Sequence, residues 1–136
     1  MRLLVDTGPL VALADPGDRD HDACKRFIRD HRSPLLTTWA VLTEFSHMAP
    51  TVVATVRLFR WATNGGMEVL PFGKDELALA TDWMERYADR PMDLADASLV
   101  LAAMSTGVTT VWTLDRRDFE TYRLPGRKKF RLVEMT

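Results

Sequence analysis

Short apolar runs alternate along the chain with longer segments in which hydrophobic residues recur every three or four positions. The runs have strand length and predict strands at about 2–6, 35–37, 67–72, 109–115 and 130–134. The longer segments predict a first helix that begins near Pro9, and further helices at about 18–32, 38–48, 50–63, 75–88 and 93–106. Strands that alternate with helices favour an α/β fold, a three-layer α/β/α sandwich with a mainly parallel central sheet.

Length and composition narrow the class of protein. The 136 residues predict a single domain, 1–136, with 46% hydrophobic and 27% charged residues, as is typical of soluble globular proteins. Cys24 is the only cysteine, so the chain cannot form an internal disulfide and we expect a reducing cytoplasmic environment. Asp6 and the Gly8-Pro9 pair interrupt the first apolar run, so we expect neither a signal peptide nor a membrane span.

Acidic residues stand where predicted strands end and where predicted helices begin. Asp6 ends the first strand and Asp115 ends "TTVWTLD", while Glu44 and Asp96 lie beside apolar helix faces. In parallel α/β sheets, ligands bind beyond the carboxyl ends of the strands, at the point where the strand order switches. If the first and fourth strands are neighbours, these carboxylates face one crevice.

Each acid also has a purely structural interpretation. Asp6 can accept a hydrogen bond within the turn that follows it, and Glu44 can be a solvated helix residue. Asp93 and Asp96 have the spacing of a helix N-cap and its third residue. Asp118, before Phe119, also has the pattern of an N-cap.

Taken together, the acids point to divalent cations. Four carboxylates in one crevice repel each other and raise each other's pKa unless a cation neutralises them. Oxygen-only ligation favours Mg²⁺ or Mn²⁺ over zinc. The three histidines, His21, His31 and His47, are scattered and are interpreted as surface or capping residues, and Cys24 as a small core residue.

Four short motifs, in this order and spacing, resemble the PIN domain, and within it the VapC-like ribonuclease toxins of prokaryotic toxin–antitoxin pairs. The motifs are "LLVDTGPLVAL", "TEF", "DLADASLVLAA" and "TLDRRDF", and the resemblance covers essentially the whole chain. It implies a PIN-like fold with a metal pocket formed by Asp6, Glu44, Asp96 and Asp115. It also implies supporting roles for the hydroxyls of Thr7 and Thr113, and it leaves the roles of Asp93 and Asp118 open.

The resemblance implies a ribonuclease that uses one or two Mg²⁺ or Mn²⁺ ions to hydrolyse RNA phosphodiester bonds. Between Arg116 and Arg131 the chain has seven basic residues and two acidic ones. Basic side chains there would hold the RNA backbone: Arg116, Arg117, Arg123, Arg127, Lys128 and Lys129. The structural alternative is a solubilising surface.

Two apolar segments suggest protein partners. The segment "TVVATVRLFRWATNGG" is more apolar than one buried stripe requires, through Val53, Val56, Leu58, Phe59 and Trp61. A second cluster comprises Trp83, Met84 and Tyr87. Core packing explains much of both, and the resemblance implies that the remainder serves a homodimer face and a groove for an antitoxin.

Two other functions remain open from the residues. One is a PIN-fold module that binds RNA or protein without catalysis. The other is a phosphohydrolase with an aspartyl nucleophile after its first strand, which usually has a second Asp two residues later, where this chain has Gly8. The sequence leaves the RNA target and the cleavage site undetermined.

Overall fold

The structure, a computed structural model, describes residues 2–135. Seven α-helices and seven short strands are assigned within this range. The strands are β1 (Leu3–Val5), β2 (Leu35–Thr38), β3 (Glu68–Leu70), β4 (Thr110–Trp112), β5 (Arg123–Leu124), β6 (Lys128–Lys129) and β7 (Arg131–Leu132). The helices are α1 (Thr7–Ala14), α2 (His21–Asp30), α3 (Trp39–Met48), α4 (Val52–Trp61), α5 (Lys74–Arg86), α6 (Leu94–Thr106) and α7 (Arg116–Thr121).

Five strands form one parallel sheet in the order β3-β2-β1-β4-β7. The chain builds outwards from β1 through β2 to β3, and then returns to place β4 on the other side of β1. The strand order therefore switches between β1 and β4, where Leu4 pairs with Val111 and Val5 with Trp112. The predicted parallel sheet flanked by helices is confirmed.

The core lies between the sheet and the helices. All three residues of β1 and all four residues of β2 are buried, because a parallel strand covered on both faces has no solvent side. Helix α1 packs against α2, α3 and α4, while α6 packs against α5 and against strands β1 and β2. Helix α6 is buried through most of its length, which explains why "DLADASLVLAA" has few charged residues.

The element boundaries depart from the predicted ones where side chains compete for the backbone. Helix α2 begins at His21 and not near residue 18, because the carboxylates of Asp15 and Asp18 bind the amides of Gly17 and Asp20 in two turns. Helix α4 ends in a wide turn over 62–66, where Gly65 has φ of 100°. A Cβ on Gly66 would lie 2.3 Å from the Trp61 ring, so this turn requires glycine.

Two elements near the C-terminus were not predicted. Helix α7 begins at Arg116 with Asp115 as its N-cap residue, so the prediction of Asp118 as an N-cap is wrong; Asp118 lies in the first turn. Strands β5 and β6 form an antiparallel hairpin outside the main sheet, joined by a tight turn in which Gly126 and Arg127 both have positive φ. The predicted strand at 130–134 is shorter, at Arg131–Leu132.

The two apolar segments have different fates. In α4, Leu58 is buried, but Val52, Val53, Val56 and Trp61 are exposed. In the other segment, Trp83 is buried and stacks with the ring of Tyr87, so that cluster belongs mainly to the core. Within residues 2–135, no helix has the length and apolar character needed to cross a membrane.

Candidate active site

The carboxyl ends of β1 and β4 lie side by side, as expected. The amide of Asp6 donates to the carbonyl of Trp112 at 2.9 Å, which continues the strand pairing by one residue and sets Asp6 beside Thr113. Because this is also where the strand order switches, the helices that follow the two strands diverge and leave a crevice between them. Asp6 therefore stands at the place that the topology opens to a ligand.

A cavity of about 360 Å³ occupies this crevice. Six carboxylates from four separate segments line it: Asp6, Glu44, Asp93, Asp96, Asp115 and Asp118. Its other lining residues are Thr7, Gly8, Met48, Pro91 and Leu114. The structure thus brings together all four acids predicted to converge, together with the two whose roles were open, and no Lys or Arg is part of the lining.

Asp6 is held by a dense set of hydrogen bonds. It is the N-cap residue of α1, and its Oδ1 accepts from the amide of Thr7 at 2.8 Å. Its Oδ2 accepts from the hydroxyl of Thr113 at 2.7 Å. The same Thr113 oxygen accepts from the amide of Asp115 at 2.9 Å, so one hydroxyl links the two strand-end acids. The capping role of Asp6 is therefore compatible with its place in the cavity wall.

Burial raises the pKa of Asp6 above its usual range, and the hydrogen bond from Thr113 opposes this effect only in part. The negative charges of Asp93 and Asp118 raise it further. A carboxylate buried in this way is unstable without a compensating positive charge. The ionised form of Asp6 therefore lowers the stability of the metal-free protein, because it is buried and lies near other carboxylates.

Asp96 lies in the first turn of α6 and is also buried. Its amide donates to Oδ1 of Asp93 at 2.8 Å, which confirms the predicted N-cap role of Asp93. Its Oδ2 accepts from the hydroxyl of Tyr122 at 2.7 Å. Burial raises the pKa of Asp96 to about 8, although the hydrogen bond from Tyr122 favours the ionised form.

Glu44 and Asp115 complete the ring of acids from more accessible positions. The pKa of Glu44 is raised, first by loss of hydration and then by the charge of Asp93. Asp115 is an exposed residue, but the cavity wall removes part of the hydration of its carboxyl group. This loss of hydration, together with the neighbouring Asp118, raises the pKa of Asp115 to about 6. All four predicted acids thus have pKa values shifted in the same direction.

The donor set suits a hard divalent cation. Every charged group in the lining is a carboxylate, and Thr7, whose buried side chain lies beside Glu44, adds a hydroxyl oxygen. Carboxylate and hydroxyl oxygens are the ligands that Mg²⁺ and Mn²⁺ prefer. Within residues 2–135, no three His, Cys, Asp or Glu side chains stand in an arrangement that could hold a metal ion as they are. The fit to a divalent cation therefore rests on the chemistry of the cavity oxygens and not on a preformed ligand set.

One contact of this site was not predicted from the sequence. Tyr122 stands 26 residues from Asp96 along the chain, and no local pattern marks its hydroxyl as a partner of a carboxylate. Its position in a segment rich in arginine and lysine suggested only a basic surface. The contact arises because α7 directs the chain back across the start of α6.

The predicted basic residues divide into two groups. The Arg116 guanidinium donates to the carbonyl of Val133 at 2.9 Å and forms an ion pair with Glu134 at 2.8 Å, so it holds the C-terminal segment. Arg123 donates to backbone carbonyls of its own segment. The other predicted basic side chains are exposed: Arg117, Arg127, Lys128 and Lys129.

Known proteins match this chain in sequence and in fold. A family model described as PIN domain matches residues 3–124. The chain is 28% identical over 134 residues to ribonuclease VapC26 of Mycobacterium tuberculosis, an alignment that covers 96% of this chain and 99% of that protein. The crystal structure of VapC20 of Mycobacterium tuberculosis, described as a sarcin-ricin loop cleaving toxin, superposes with a TM-score of 0.73. That comparison covers 80% of this chain and 86% of VapC20, at 21% sequence identity.

Proposed function

Because the chain belongs to the PIN domain family, we propose that it is an endoribonuclease that hydrolyses RNA phosphodiester bonds with Mg²⁺ or Mn²⁺, as the toxin of a toxin–antitoxin pair. The observation that carries the proposal is the convergence of six carboxylates on one cavity at the switch point of the sheet. The similarity to ribonuclease VapC26 supports the reaction class.

Asp6, Glu44, Asp96 and Asp115 would hold one or two ions. Ions held there would supply activation of a water molecule and neutralisation of charge on the phosphate. Asp6 and Asp96 have one oxygen held by a hydroxyl, from Thr113 and Tyr122 respectively, which fixes their orientation towards the cavity. Asp93 and Asp118 add negative charge at the rim and thereby favour cation entry.

RNA binding would use the exposed basic side chains of the β5–β6 hairpin and of α7. Arg127, Lys128 and Lys129 project into solvent from the tight turn and from β6. Such side chains bind phosphates without reading sequence, so they position the strand while the cavity supplies the chemistry. We assign Arg116 first to holding the C-terminal segment, because its guanidinium is bound to Val133 and Glu134.

Protein partners in this proposal are an antitoxin and a second copy of the chain. A largely apolar groove of about 610 Å³ runs between α1, α2 and α4. Its wall includes Leu13, Ile28, Val53 and Trp61, of which Val53 and Trp61 are exposed. An amphipathic segment of an antitoxin can bury its apolar face there. The buried, unpaired Cys24 fits a reducing cytoplasm as the site of action.

The phosphohydrolase alternative needs a second Asp two residues after Asp6, and the chain has none there. Gly8 lines the cavity two residues after Asp6, where that class usually has a second Asp. A Cβ at Gly8 would lie 3.2 Å from the Cβ of Leu114, so the site has little room for a side chain there. The six converging acids favour the nuclease over a binding module, because a module would gain nothing from their repulsion.

Cleavage of RNA with and without metal tests the proposal. The wild-type protein should cleave RNA with Mg²⁺ or Mn²⁺ and lose this activity in EDTA. Asp96→Asn should abolish cleavage, while Asp82→Asn, which removes an exposed acid of α5, should leave it unchanged. Absence of cleavage by wild type with either metal would refute the nuclease assignment. Equal activity of wild type and Asp96→Asn, or undiminished cleavage in EDTA, would refute the metal site formed by these acids.

A further inference from the structure

Tyr122 connects the acid cavity to the basic hairpin. It follows the last residue of α7 and directly precedes β5, and its ring is buried with 1% of its surface exposed. From this position its hydroxyl reaches into the start of α6 and donates to Oδ2 of Asp96 at 2.7 Å. A carboxylate is a strong acceptor, so this is one of the stronger hydrogen bonds available to a neutral donor.

The ring and backbone of Tyr122 are held from several sides. Its ring packs edge-on against Tyr87 and Phe119, with centroids 5.1 and 5.3 Å away. The guanidinium of Arg123 donates to the carbonyls of Glu120, Thr121 and Tyr122 at 2.6, 3.1 and 2.9 Å, which clamps the end of α7. The hydroxyl therefore has little freedom to leave Asp96.

The arrangement repeats the one at Asp6. There, Thr113 donates to one carboxylate oxygen at 2.7 Å, and the residue comes from a different segment of the chain. In each case a neutral hydroxyl from another element holds one oxygen of a buried acid. A carboxylate held in this way cannot rotate freely, and its remaining lone pairs keep a fixed direction. Groups that orient metal ligands typically change metal affinity or activity about 10–100-fold when they are removed.

We propose that Tyr122 is a positioning residue of this site, which orients the carboxylate of Asp96 for binding a divalent cation. This inference rests on the proposed function, since it assigns Asp96 to the metal site. It adds to that function a tyrosine that acts through Asp96 and never touches the ion or the RNA. The alternative is a tyrosine that only packs and satisfies its own hydroxyl.

A matched pair of substitutions separates the two roles. Tyr122→Phe and Tyr87→Phe each remove one hydroxyl and keep the ring in the same aromatic cluster. The Tyr87 hydroxyl accepts from the amide of Arg123 at 2.9 Å, and among residues 2–135 Tyr87 is not part of the wall of the acid cavity. Mn²⁺ affinity is measured by calorimetry on the purified proteins, without RNA. Tyr122→Phe should weaken Mn²⁺ binding about tenfold or more, and Tyr87→Phe should change it less than about twofold.

Kinetics supply a second measurement. Tyr122→Phe should lower kcat for RNA cleavage and leave KM close to the wild-type value, because Asp96 acts on the ion and the hairpin holds the RNA. Unchanged Mn²⁺ affinity in Tyr122→Phe, or equal weakening in both Tyr→Phe variants, would overturn the positioning role. If wild type does not bind Mn²⁺, or if Asp96→Asn binds Mn²⁺ with the affinity of wild type, the proposed metal site is wrong. The inference about Tyr122 is then wrong as well.

A spectroscopic readout covers the case in which Tyr122→Phe folds poorly. The chain has two tyrosines, so fluorotyrosine incorporated into Tyr87→Phe labels Tyr122 alone. Its fluorine NMR signal should move on addition of Mg²⁺, with the same midpoint as Mg²⁺ binding, and should stay fixed in the Asp96→Asn background. A signal insensitive to saturating Mg²⁺ would refute the coupling between this hydroxyl and the site.

Discussion

The stability of the metal-free protein should fall as the pH rises, and Asp96 should be one of the main causes. The residue is 9% exposed, and its carboxyl has a pKa of about 8 in the folded protein, against an ordinary value of 3.8. Between these two values the folded state binds a proton that the unfolded state has released. The contribution of this group to stability is therefore complete below about pH 4 and is lost as the pH approaches 8.

The magnitude follows from the linkage between protons and folding. A difference of about one bound proton costs ~1.4 kcal/mol for each pH unit, so the loss between about pH 5 and pH 8 is on the order of 4 kcal/mol. This is a large part of the ~5–15 kcal/mol by which domains are stable. The other cavity acids with raised pKa, Asp6, Glu44 and Asp115, should add to the slope in the same direction.

Asp96→Asn isolates the effect. An asparagine carbonyl can still accept from Tyr122, but it cannot ionise, so the variant should be about as stable as wild type at pH 5 and clearly more stable at pH 8. Urea unfolding in EDTA at several pH values measures both free energies, and Asp82→Asn serves as the exposed control. If Asp96→Asn retains the full wild-type slope, or if wild type gains stability as the pH rises to 8, burial does not hold this proton in the folded state.

Three further outcomes are expected. Mn²⁺ should raise the melting temperature of wild type. The melting temperature of Asp6→Ala should respond little to Mn²⁺, and without metal it should exceed that of wild type. If Mn²⁺ raises both melting temperatures equally, Asp6 is only a capping residue. A triple variant with Ala at Arg127, Lys128 and Lys129 should bind RNA more weakly, and the slope of log affinity against log salt concentration should fall by ~2. Its Mn²⁺ affinity should equal that of wild type. An unchanged slope would place the RNA-binding surface on another part of the protein. Val52→Asp, on the exposed face of α4 outside the apolar groove, should shift the mass measured by light scattering towards the monomer; an undiminished dimer would place the homodimer interface on another surface.

The order of strands and helices was accessible from the sequence because periodicity is local. Strand β1 is apolar throughout, and β4 is apolar in its last two residues, Val111 and Trp112, as is expected of parallel strands covered on both faces. Helix α6 is long and apolar, so its burial was also predictable. Asp6 and Asp115 could be assigned to one edge of the sheet, since the carboxyl ends of parallel strands meet there. The N-cap role of Asp93 also came from spacing alone, because it is set within one turn of helix.

What only the tertiary structure decided are the contacts between segments distant in the chain. The hydroxyl of Tyr122 reaches Asp96, and that of Thr113 reaches Asp6, across separations of 26 and 107 residues. Arg116, one of a run of basic residues in the sequence, is bound by the C-terminal segment, while Arg127 stays exposed in a tight turn. Local patterns encode which residues form a helix or strand and which end of it is polar. The partner of each polar group, and with it the pKa of each acid, depends on burial and on neighbours that exist only once the chain has folded.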